Sequence, residues 1–181
     1  MKLKNGSILM WQNHKVDNWA LRIVMNSIVA ATGSPYVHTA LVLFDKVYEY
    51  SAWFIGKKLY HGLRIRDYTD DIGEEAYEPT FELSEKDYKT MQNYCIWLDA
   101  YADKYNFLKL VALAIVLPFR KLFRALNWVP LDGKPMGDVC SVLPAETYEV
   151  VGIDLFPNDF AGYTTPGMWM TLVPDKFIRV K

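Results

Sequence analysis

The chain is poor in cysteine, with two in 181 residues, and has no C-x-x-C pair beside its three histidines, His14, His38 and His61. That excludes a disulfide framework, leaves no structural zinc site to expect, and fits a reducing compartment. Charge of one sign is also lacking: 20 Lys+Arg stand against 21 Asp+Glu, net -1, with both signs interspersed. A nucleic-acid binder should carry a basic excess or stripe, so none is expected as partner. No repeat, low-complexity tract or linker divides the chain, and one domain over residues 1–181 is predicted. A chain this long buries roughly 70% of its unfolded surface and folds without a metal or cross-link. The start, MKLKNGSILMWQNHK, shows no apolar run of signal-peptide length, and no spanning segment follows. A cytoplasmic location is therefore expected.

Aromatic residues are abundant: 12 Tyr, 9 Phe and 6 Trp make up 15% of the chain. They imply an aromatic core or a surface that meets something apolar.

Periodicity predicts an α+β fold, a small antiparallel sheet packed against helices. Ser7 to Trp11 reads as a first strand, and Asp17 or Asn18 caps a helix running to Ala31 and ended by Gly33. Val37 to Phe44 and Val47 to Tyr50 form a hairpin around Asp45-Lys46. The acidic run Asp67, Asp70, Asp71, Glu74, Glu75 and Glu78 reads as a solvated loop. Ser84 and Asp87 form a capping box, with Asp in place of Glu, for a helix carrying Tyr88, Met91, Cys95, Leu98 and Ala102 at helical spacing. Cys95 on that stripe is a core thiol.

Asn106 to Ala125 is the most apolar stretch; Pro118 interrupts it and it is too short to span a bilayer. It reads as a buried helix followed by a basic turn, with a peripheral membrane contact or a lipid-binding groove as the sharper alternative. Ser141 to Val151 is a last helix closed by Gly152, and Leu172-Val173 and Phe177 to Val180 are closing strands.

Cys140 follows the turn Gly133 to Gly137 at the start of a helical segment. Helix N-terminal N–H groups lower a thiol's pKa and can hold an oxyanion, although Pro144 removes one donor nearby. The alternative is a second buried thiol. His38 opens the apolar strand TALVLF, where a core side chain would be apolar, and is placed to act as a general base. Glu49 interrupts the aromatic run Tyr48, Tyr50, Trp53 and could orient an imidazole. With Asp45-Lys46 as the turn, Glu49 faces Val42, on the same side as His38 but roughly 13 Å away along the strand. Tyr36, Tyr50 and Trp53 surround this hairpin and are candidate substrate-binding residues.

The run Gly33-Ser34-Pro35-Tyr36-Val37-His38-Thr39-Ala40-Leu41-Val42 resembles the histidine motif "G-S-x-Y-S-H-x-G-I-V" of the permuted papain-like hydrolases of the NlpC superfamily, YiiX-like branch. Cys140-Ser141-Val142-Leu143 is similar to their "C-S-E-L". Gly6-Ser7-Ile8-Leu9, Gly62-Leu63-Arg64-Ile65, Tyr105-Asn106-Phe107-Leu108, and Gly152-Ile153-Asp154-Leu155 with Thr165-Pro166-Gly167 resemble "G-D-I-L", "G-V-R-I", "Y-D-F-L" and "G-I-D-L … T-P-G-D" in the family's order. The chain departs from the pattern at Val37, Val139, Val142 and Pro144.

The resemblance implies a circularly permuted papain-like fold with Cys140 as nucleophile, His38 as base and Glu49 orienting it. The expected function is a thiol-dependent hydrolase of peptide, amide or ester bonds, working through an acyl-enzyme, with no cofactor or metal. Two alternatives stand beside it. One is a lipid-directed enzyme resembling the lecithin retinol acyltransferase group, whose "N-C-E-H-F" motif is absent here. The other is a non-catalytic binding or structural module with the same fold.

Overall fold

The computed structural model describes residues 2–12, 33–55, 58–101, 140–157 and 164–181, with positions 22, 25, 26, 29 and 30. Among these residues six strands form one antiparallel sheet: β1 (Ser7–Gln12), β2 (Tyr36–Leu43), β3 (Lys46–Ile55), β4 (Lys58–Asp67), β5 (Glu75–Pro79) and β6 (Phe177–Arg179). Their spatial order is β4-β3-β2-β1-β5-β6, which puts β2 inside the sheet between β1 and β3. Helices α1 (Glu85–Tyr101) and α2 (Val142–Glu149) and a 3-10 helix (Pro166–Leu172) accompany it. The class is α+β, as the periodicity predicts.

The two faces of the sheet bury different residues. On one, Leu41 and Leu43 of β2 and Tyr48 and Tyr50 of β3 meet Met91, Cys95 and Leu98 of α1 and Leu143 and Tyr148 of α2. Each such burial contributes about 1.5–3 kcal/mol. The other face carries Leu9, Ala40, Val42, Val47 and Ala76 under Leu3 and Ile72. The alternation along β2 and β3 is the period-2 pattern of a sheet packed on both sides.

The reciprocal cap of α1 is present: Asp87 N–H donates to Ser84 Oγ at 3.2 Å, and Ser84 N–H to Asp87 Oδ2 at 3.1 Å. Tyr148 donates its hydroxyl to Gly6 O at 2.6 Å, joining α2 to the start of β1. Gly6 has φ +85, and a Cβ there would lie 2.6 Å from that hydroxyl, so any other residue at this position is strained.

Four sequence expectations are corrected. The β2–β3 turn is Phe44-Asp45, not Asp45-Lys46: both residues have positive φ (50 and 57), as a type I′ hairpin turn requires, and Leu43 pairs with Lys46. The acidic run is not all loop: Glu75 to Glu78 belong to β5, and Glu75 is buried on Tyr36, Tyr77, Gln12 and Arg179. Those donors keep its carboxylate ionised despite burial. Leu172 ends the 3-10 helix, whereas Phe177–Arg179 is a strand. The last helix stops at Glu149, with Gly152 at φ +81 accepting the turn. The 106–125 stretch, most of the 17–31 helix and the 133–137 turn lie outside the described residues. Among the described residues no helix is long and apolar enough to cross a membrane.

Candidate active site

The Phe44-Asp45 turn changes the placement of Glu49. It sets Val42 opposite Val47, and the same register continued sets Glu49 opposite Ala40, two residues nearer His38 than an Asp45-Lys46 turn would. His38 and Glu49 then occupy diagonal positions on one face, about 7–8 Å apart at Cα, within reach of two long side chains. Glu49 Oε2 lies 2.8 Å from His38 Nε2. Glu49 is only 3% exposed, on a face otherwise lined by Ala40, Val42 and Val47. Arg66 Nη2 at 3.1 Å and Arg64 Nη1 at 3.8 Å face its other oxygen. Burial alone would raise its pKa, but the bond from His38 and the charges of His38, Arg66 and Arg64 hold it below the ordinary carboxylate value.

Cys140 comes from the other end of the chain. The β2–β3 ladder covers only Leu41–Leu43 against Lys46–Tyr48, so main-chain groups of β2 before Leu41 are left open along that edge. The sulfur takes them. Sγ lies 3.8 Å from Val37 O, the acceptor available to a protonated thiol, and the Thr39 N–H donates to the ionised one. Ser141 supplies a second N–H, at the start of α2. His38 is within hydrogen-bonding reach of the thiol, and since Nε2 is engaged by Glu49, Nδ1 is the nitrogen left for sulfur.

The electrostatics favour an ion pair. Burial acts against charge on both groups, yet the thiolate, with its hydrogen bond, and Glu49 raise the His38 pKa to about 10. In turn the imidazolium and the two N–H donors lower the Cys140 pKa despite burial. Trp11, paired with His38 across β1 and β2, places its ring 4.9 Å from the imidazole, tilted by 55°. An aromatic ring at that distance favours the cationic form. Cys95 is the contrast: burial raises its pKa to about 12, and the group its sulfur meets, at 3.7 Å, is the uncharged Thr147 hydroxyl.

The arrangement therefore joins a low-pKa thiol, an imidazole and a buried carboxylate in one hydrogen-bonded line. No protein-family model and no curated protein matches this chain.

Among the other candidates, Tyr36 is buried with its hydroxyl 2.9 Å from Glu75 Oε2, and Tyr50 is buried on the helix side of the sheet, opposite to Glu49. Trp53 pairs with Tyr60 through the β3–β4 ladder, and its side chain lies outside the described residues. The sequence reading missed Trp11, Thr39, Ser141 and Arg66. Thr39 and Ser141 are adjacent to His38 and Cys140, a usable signal; Trp11 and Arg66 need strand register. Among the described residues no group of three or more His, Cys, Asp or Glu could hold a metal ion.

Proposed function

We propose that the protein is a cysteine hydrolase that cleaves an amide, ester or thioester through an acyl-enzyme. The observation that carries this reading is the hydrogen-bonded line Cys140, His38, Glu49, with His38 Nε2 2.8 Å from a buried carboxylate. The Cys140 thiolate attacks the carbonyl carbon and forms the C–S bond, pushing the carbonyl electrons onto oxygen. N–H groups at the start of α2, that of Cys140 among them, stabilise the oxyanion. Its collapse breaks the bond to the leaving amine, alcohol or thiol, which takes the proton from the His38 imidazolium. Water, deprotonated by His38, then attacks the acyl-thioester, and Cys140 leaves as thiolate. Glu49 keeps the imidazole oriented and stabilises its protonated state.

A circularly permuted papain-like fold of the NlpC type is the architecture proposed with it. Its support is the order of the groups in the chain, histidine strand before cysteine helix, and the motif resemblance described above. The lipid-directed alternative draws on residues 106–125, outside the described residues, and no observed contact favours it or a non-catalytic module.

The test is an activated ester, p-nitrophenyl acetate, with mass spectrometry of the quenched protein. An acetyl group on Cys140 is expected, with turnover lost in Cys140→Ala and reduced by about 10²–10⁴ in His38→Ala, the usual contribution of a general base. Acetylation elsewhere, or turnover undiminished in Cys140→Ala, overturns the proposal.

A further inference from the structure

Thr39 touches the nucleophile's residue twice. Its hydroxyl, fully buried, donates to the main-chain carbonyl of Cys140 at 2.9 Å, and its N–H points to the Cys140 sulfur. The first contact has an origin in the sequence of α2. In an α-helix the carbonyl of residue 140 would accept from the N–H of residue 144, and Ser141 already has helical φ and ψ (-81 and -20). Residue 144 is proline and has no N–H. Pro144 therefore frees a buried carbonyl at the head of the cysteine helix, and an acceptor left without a donor there would be costly. The donor that fills the gap is on β2, one residue after His38. His38 points to one face of the strand and Thr39 to the other, so a single dipeptide carries the base and the anchor of the nucleophile.

We propose that Thr39 is a positioning residue whose hydroxyl, acting in the vacancy left by Pro144, holds the Cys140 main chain against β2 and so fixes sulfur within reach of His38. This rests on the hydrolase reading above and deepens it. A Val side chain at position 39 keeps the shape and the N–H but removes the tie; a Ser keeps the tie.

The readout is the pH midpoint of Cys140 alkylation by iodoacetamide, followed by mass spectrometry, with thermal unfolding measured alongside. Thr39→Val is expected to raise the midpoint by about one pH unit and to slow reaction at pH 6 about tenfold, the scale of one buried hydrogen bond. Thr39→Ser should stay within threefold of the parent. The double variant Thr39→Val/Pro144→Ala gives the carbonyl a donor inside the helix but no tie to β2. It should fold even if Thr39→Val does not, and still show the raised midpoint. A parental midpoint in that double variant overturns the positioning role, because then any donor suffices. The two proposals fail differently: a parent midpoint near the ordinary thiol value of 9.0 sinks the hydrolase reading, whereas a low parent midpoint unmoved by loss of the hydroxyl sinks this one alone.

Discussion

Treatment of the native protein with limiting iodoacetamide at pH 7 should modify Cys140 far ahead of Cys95. The size of the preference follows from the surroundings of the two thiols. Burial on α1 raises the Cys95 pKa to about 12, which leaves a thiolate fraction of roughly 10⁻⁵ at pH 7. The Cys140 pKa lies below the ordinary 9.0, so its thiolate fraction exceeds roughly 10⁻². The ratio is at least ~10³ in favour of Cys140. Intrinsic nucleophilicity falls with pKa by a factor of about 10^0.5 per pH unit, so a gap of three units returns about 30-fold to Cys95. A net preference of at least about 30-fold remains, and it grows as the Cys140 value drops further. Access adds to it, since Cys140 is 6% exposed and Cys95 fully buried. Peptide mass spectrometry with isotope-coded reagent between pH 5 and 8 measures both rates in one sample. Equal labelling of the two thiols, or a Cys140 rate that climbs tenfold per pH unit all the way to pH 8, would refute the ion-pair reasoning. His38→Ala should move Cys140 toward that ordinary profile.

Removing the charge of the carboxylate in Glu49→Gln should lower the His38 pKa from about 10 by about 1–3 pH units, read by NMR of the imidazole; an unmoved value would mean that Glu49 does not stabilise the cation. While the folded thiol is ionised the folded pair holds one proton, on His38, and between the ordinary values of 6.5 and 9.0 the unfolded chain also holds one, on Cys140. Its contribution to stability is therefore flat in that window. It falls below pH 6.5, where the unfolded imidazole takes up a second proton. It falls again above pH 9, where the unfolded thiol loses its proton while the folded imidazole keeps its own to about 10. Urea unfolding of parent minus Cys140→Ser at pH 5.5, 7.5 and 10 checks this, and a steady slope across the window contradicts it. Gly6→Ala should cost at least about 2 kcal/mol, combining a left-handed backbone with a clash against the Tyr148 hydroxyl, and lower Tm by at least roughly 4 °C. Gly33→Ala, at φ +67 with nothing within 4 Å of the added Cβ, should cost only the backbone share.

Local signals were legible where local physics decides the outcome. The Ser84/Asp87 cap and the Met91, Cys95, Leu98 stripe depend on three- and four-residue spacing, and the structure shows both. Glu49 and His38 fall on one face because the one-position displacement of the turn moves the register by two, which preserves side-chain parity. Their distance could not be read, because Phe44 at positive φ is a choice local preference argues against. Phe44 N–H is held by Asn5 Oδ1 at 2.6 Å, a contact 39 residues distant in the chain that propensity cannot anticipate. Glu75 was lost in the acidic run for the same reason: its four donors come from β1, β2, β5 and β6. Trp11 and Arg66 reach the site only through cross-strand pairing, which no spacing rule in one strand reveals.

The Thr39 hydroxyl and the Cys140 carbonyl that accepts from it are 101 residues apart in sequence. During synthesis at about 5–20 residues per second, the histidine strand waits some 5–20 s before its cysteine is made. In any chain whose sheet has not yet closed on the cysteine helix, the thiol lacks the imidazolium that lowers its pKa. The reactive group is thus created by a contact between distant parts of the chain, so the nascent chain travels with ordinary thiols. A thiolate-selective reagent applied to a mixed population would count finished molecules.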